Sequence, residues 1–157
     1  NSGTGKGSRF SWHFIEKNLI NNIPEEILAS RKVMIDKKGH SITNGRGNIM
    51  NNIPQIVDKK VIASGDVLFV IPELDNDYHL ELIRSLFMTK TARFLMSITQ
   101  KDLYVRGFEN IPDYSVFIEK LNGSLFSDSW FYKFYDFSEE LIRHIESSVS
   151  EKKEVED

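Results

Sequence analysis

The chain contains no cysteine, so disulfides, a thiolate nucleophile and Cys-ligated zinc are all excluded. It has no apolar run approaching the roughly 18–20 residues needed to cross a bilayer, and no apolar signal-peptide segment at its start. Both features fit a cytoplasmic protein without membrane association. The histidines His13, His40, His79 and His144 are scattered, none at metal-ligand spacing from another. Ser, His and Asp occur but form no nucleophile elbow. The carboxylate pairs Glu25/Glu26 and Glu139/Glu140 sit in first helical turns, where they suit the helix dipole and need no catalytic reading. Catalysis is not visible in these residues.

What is present suffices for one folded domain. The 157 residues are 40% hydrophobic and 11% aromatic, enough to build a core. Net charge is −3, but it is unevenly distributed. Residues 1–60 hold ten Lys/Arg against five Asp/Glu, residues 61–106 five against six, and residues 107–157 five against twelve. A basic front and an acidic end suggest a surface that meets an anion on one side.

The opening NSGTGKGSRF lacks a methionine and reads as a flexible Gly-rich arm over 1–9 of a piece cut from something longer. One domain is expected over 10–149 and a charged, disordered tail over 150–157. The spacing predicts a helix from Pro24-Glu25-Glu26 to about Ala29, then a strand at Lys32–Asp36. Residues 37–52 hold three glycines and four asparagines and read as a long loop. Two β-rich runs, Lys60–Ala63 and Asp66–Ile71, flank Ser64-Gly65 and suggest a hairpin, with a bulge or bend within one strand as the alternative. From Asp77 to Thr99 the period is helical, capped at Asp75 or Asp77, with a break near Lys90 between its flanking threonines. Leu80, Ile83, Leu86, Phe87, Phe94, Leu95 and Ile98 form its apolar stripe. Of these, Phe87, Phe94, Leu95 and Ile98 should be buried beside Leu68 and Val70, with Trp130 closing one end. Leu103–Phe108 reads as a strand, Ile111-Pro112-Asp113 as a turn, and Val116–Leu121 as a short unit ending at Asn122-Gly123. Two helices follow, Asp128–Tyr135 and Ser138–Val149, the second capped by Ser138. The expected fold is α+β, a small antiparallel or mixed sheet with packed helices and a helical C-terminal cap.

Three groups could touch an anion. Gly3-Thr4-Gly5-Lys6-Gly7-Ser8 fits a phosphate loop poorly, because Gly7 follows Lys6 and no strand precedes it. It serves better as an arm carrying Lys6 and Arg9. Asn44-Gly45-Arg46-Gly47-Asn48, preceded by Lys37 and Lys38, puts a planar guanidinium among glycines that allow close approach. Lys90 and Arg93 share a helix face, set away from the Phe94/Leu95/Ile98 stripe, and Gln100, Lys101 and Arg106 follow. The plainer reading of all three is a solvated surface. The aromatic run Trp130–Phe137 could stack bases but more often plugs a core.

Several of these segments, in order, resemble one family. VIASGDVLFVIPE, then ELIRSLFMTKTARFLMSITQKDLY, then FENIP, and the ending SDSWFYKFYDFSEELIRHIE are similar to the C-terminal target-recognition region, of the Taq-type specificity class, of type II restriction–modification adenine-specific DNA methyltransferases. GTGKGSRFSW resembles a glycine-rich segment upstream in that region. The resemblance covers about residues 59–148, and 3–14 more loosely. It departs in the strand Val61-Ile62-Ala63…Val67-Leu68-Phe69-Val70, which is only partly reproduced, and in the higher acidity.

The family's Asn-Pro-Pro-aromatic motif and its glycine motif for S-adenosylmethionine are absent from these residues. The resemblance therefore implies a non-catalytic piece that chooses the double-stranded DNA site. The catalytic methyltransferase domain of the same polypeptide, with S-adenosylmethionine and with or without a fused endonuclease, would do the chemistry. No cofactor or metal is expected in this chain. DNA contacts would come from Lys6, Arg9, Lys37, Lys38, Arg46, Asn48, Lys90, Arg93, Gln100, Lys101 and Arg106, with Arg46, Asn48 and Gln100 apt for base edges. A different class of function, a protein- or subunit-docking module using the aromatic helix and acidic end, also fits these residues.

Overall fold

The computed structural model describes residues 23–36, 53–63, 67–98 and 108–149. A three-stranded antiparallel sheet lies at its base, with helices packed against it. The strands are β1 (Lys32–Asp36), β2 (Gln55–Val57) and β3 (Val67–Val70), in the order β2-β1-β3. In register, Lys32 faces Val57 on one side of β1, and Val33 faces Val70 on the other. All five β1 residues are buried, as a central strand covered on both faces requires.

The expected 60–63/66–71 hairpin does not form. Residues 61–63 hold no strand, and β3 pairs with β1 instead. The chain turns at Asp58–Val61, where the Val61 amide donates to the Asp58 carbonyl and Lys60 takes φ 65°. That left-handed residue bends the chain where a continued strand was expected. β2 went unread because three residues beside Pro54 show no period.

Helix α1 spans Glu25–Ala29 and starts after Pro24, with two acids in its first turn. Its end is closed by a buried amine. The Lys32 Nζ donates to the carbonyls of Ile27, Ser30 and Asp58 and lies 5.3 Å from the Phe69 ring centre. Burial lowers the Lys32 pKa from the ordinary lysine value, with Asp58 pulling the other way. An unfolded lysine keeps its proton up to about 10.4. Between the lowered folded value and that point the unfolded chain binds more protons, so this residue's contribution to stability rises with pH. The stability difference between wild type and Lys32→Met should therefore shift in favour of wild type as pH climbs toward the unfolded lysine value of about 10.4. Urea titrations across that range would show a flat difference if the amine were solvated.

The long helical stretch is two helices, α2 (Asp77–Met88) and α3 (Lys90–Ser97). Asn76, rather than Asp75 or Asp77, caps α2 by accepting from the His79 amide at 2.8 Å. The two aspartates instead hold Arg31, at 2.7 and 2.6 Å. Thr89 separates the helices. Its extended backbone stops α2, and its hydroxyl accepts from the Ala92 amide to start α3.

The face of α3 differs from expectation. Thr91, Ala92, Arg93 and Met96 are buried, Phe94 and Leu95 are half-buried, and Ile98 is 62% exposed. The break at Thr89 re-phases the second helix, so one continuous stripe from Leu80 to Ile98 does not exist. Phe87 is buried as expected, with Leu68, Val70 and Trp130 packed around the same core.

Phe108, expected to end a strand, opens a single 3-10 turn (Phe108–Asn110), and residues 103–107 lie outside the described residues. A second turn (Tyr114–Phe117) runs into α4 (Ile118–Leu121), which ends at Asn122 and Gly123 in left-handed conformation. The C-terminal cap is α5 (Asp128–Phe134) and α6 (Glu139–Ser148), started by Ser127 and Ser138. Between them Asp136 takes φ 51°, and the Phe137 amide returns to the Tyr132 carbonyl, a Schellman closure. The chain is thus α+β, and no described helix is long and apolar enough to cross a membrane.

Candidate nucleic-acid interface

The junction between α2 and α3 holds Lys90 and Arg93, the two singled-out residues that fall among the described ones. A helix ends there and another begins, which leaves carbonyls on one side and amides on the other without helical partners. Each set is met by a charge of the right sign. On the α2 side, the Arg93 Nε donates to the Thr89 carbonyl and Nη2 to the Met88 carbonyl, both at 3.1 Å. On the α3 side, Asp128 reaches across from α5. Its Oδ2 accepts from the Lys90 amide at 3.0 Å, and its Oδ1 accepts from the Thr91 amide and hydroxyl at 2.8 Å.

A second polar group closes the same corner. The Lys90 ammonium pairs with Glu146 of α6, and the Tyr132 hydroxyl donates to the other Glu146 oxygen at 2.8 Å. The hydrogen bond from Lys90 holds the Glu146 carboxyl below its usual range, against a smaller opposing effect of burial. Burial, followed by the bond to Glu146, pushes the Tyr132 phenol upward. Lys90, Tyr132 and Glu146 thus tie α3, α5 and α6 together.

Of the expected DNA-contacting residues, only Lys90 and Arg93 fall among those described. Lys6, Arg9, Lys37, Lys38, Arg46, Asn48, Gln100, Lys101 and Arg106 lie outside them. Arg93 is 0% exposed, so its guanidinium is an interior cap and not a surface group. The Lys90 side chain is 18% exposed and faces Glu146. The two residues share a helix, but the structure turns them to internal partners rather than to a common surface.

Among the exposed cations that sequence reasoning passed over are Lys59 and Lys60, in the turn after β2. Lys59 sits 3.9 Å from Asp75, and the Lys60 side chain makes no ion pair among the described residues. No motif marks them; only the turn exposes them.

β2 and β3 both run antiparallel to β1. The C-terminal end of β1 and the N-terminal ends of β2 and β3 therefore lie at one end of the sheet. Lys59 and Lys60 follow β2 at the opposite end, and Lys37, Lys38, Arg46 and Asn48 fall between Asp36 and Gln55 in sequence. The segment carrying Gln100, Lys101 and Arg106 joins α3 to the turn at Phe108. The Asn110 amide ties that turn back to the Leu95 carbonyl at 3.1 Å.

Elsewhere, a shallow groove of about 270 Å³ lies between β3, α2 and the Phe108–Tyr114 stretch. Its lining is apolar except for Asp113 and the Tyr114 hydroxyl, and that hydroxyl is engaged by the Glu73 amide and His79. The groove offers shape but no reacting group. No protein-family model, no curated protein and no solved structure matches this chain.

Proposed function

We propose that this chain is the DNA target-recognition domain of a type II restriction–modification adenine-specific methyltransferase. One observation carries the reading. The described framework meets its buried cations Lys32 and Arg93 with backbone carbonyls, and spends the half-buried Asp128 on the start of α3. The cation-bearing segments 37–48 and 100–106 fall, in sequence, between its described elements. Recognition of a duplex calls for that division, a rigid frame with phosphate- and base-contacting groups on connecting segments. The order of the family-like segments supports the same conclusion.

In this reading methyl transfer belongs to a catalytic domain outside these 157 residues, which supplies the S-adenosylmethionine site. This chain binds double-stranded DNA and transfers nothing. It works in the cytoplasm, where the DNA is. Arg46 is the base-reading residue, with Asn48 and Gln100 as further base contacts. Lys37, Lys38 and Lys101 neutralise phosphates.

Selection of duplexes from a random pool by the 157-residue chain, followed by anisotropy titrations, tests this. A defined sequence should be enriched. The slope of log affinity against log salt should fall by about one unit for each of Lys37→Ala and Lys38→Ala. Arg46→Ala should instead relax choice at one base pair by about 1–3 kcal/mol. Binding that neither enriches a sequence nor responds to salt would overturn the assignment. So would saturable S-adenosylmethionine binding to the same chain in calorimetry.

A further inference from the structure

We draw no further inference here: the strongest candidate, the shallow apolar groove between β3, α2 and the Phe108–Tyr114 stretch, is an unpartnered face, and nothing in the structure shows what covers it.

Discussion

Arg93→Ala is expected to cost about 3–5 kcal/mol in a urea titration, from the cavity left by a large buried side chain together with the charged hydrogen bonds lost. The side chain is 0% exposed and is among the largest fully buried ones in the protein. Its guanidinium donates to the Met88 and Thr89 carbonyls, which lie at the negative end of α2. Alanine removes the side-chain donor from both carbonyls, leaving Thr89 with only the residue-93 backbone amide, and opens a cavity where a large buried side chain stood. Arg93→Met restores most of the volume but none of the donors, and should fall between alanine and wild type. Phe94→Ala is the useful contrast. A fully buried phenylalanine costs about 3–5 kcal/mol on truncation. Phe94 is half-buried, so its loss should be clearly smaller than that of its neighbour. An Arg93→Ala loss under about 1 kcal/mol would mean that the guanidinium is solvated, and that the polar face of α3 points outward after all.

Asp128→Ala should cost about 2–4 kcal/mol, because three donors lose one charged acceptor together. Its carboxylate serves the Lys90 and Thr91 amides and the Thr91 hydroxyl, at 2.8 to 3.0 Å. A helix cap from a neighbouring residue is typically worth about 1 kcal/mol. This one also joins α5 to α3 across 37 residues of sequence, so its removal loosens the C-terminal cap as well as the helix start. Asp128→Asn keeps an acceptor without the charge and should recover part of the loss. Hydrogen exchange would show the second effect directly, as faster exchange at the α5 and α6 amides in Asp128→Ala. Unchanged exchange there, together with a loss near 1 kcal/mol, would reduce Asp128 to a local cap.

Signals that act within a few residues were legible. Pro24-Glu25-Glu26 starts α1, Ser138 caps α6, and Asn122-Gly123 ends α4, each as read from the sequence. The threonines flanking Lys90 mark a true break. In each case the residue's own backbone preference or side-chain oxygen does the work, and no distant partner is needed. The α+β class and the helical C-terminal cap followed from the same local signals.

Pairing and facing were settled elsewhere. Nothing in Val67–Val70 says that its partner is Val33–Asp36 and not the adjacent run at 60–63. A central strand buried on both faces recruits both neighbours, and that choice depends on the whole core. Arg93 likewise has every local mark of a surface residue. It is interior because Thr89 ends α2 and leaves carbonyls that only a long cationic side chain in the next turn can reach. Asp128 was legible as a first-turn acid of α5, but its partners belong to α3, and no spacing rule connects positions so far apart. Sequence determines where helices begin and end, because caps and breaks are satisfied locally. Which strands pair, which face of α3 is buried and which charges remain at the surface were decided by tertiary packing, because distant chain segments supply the partners.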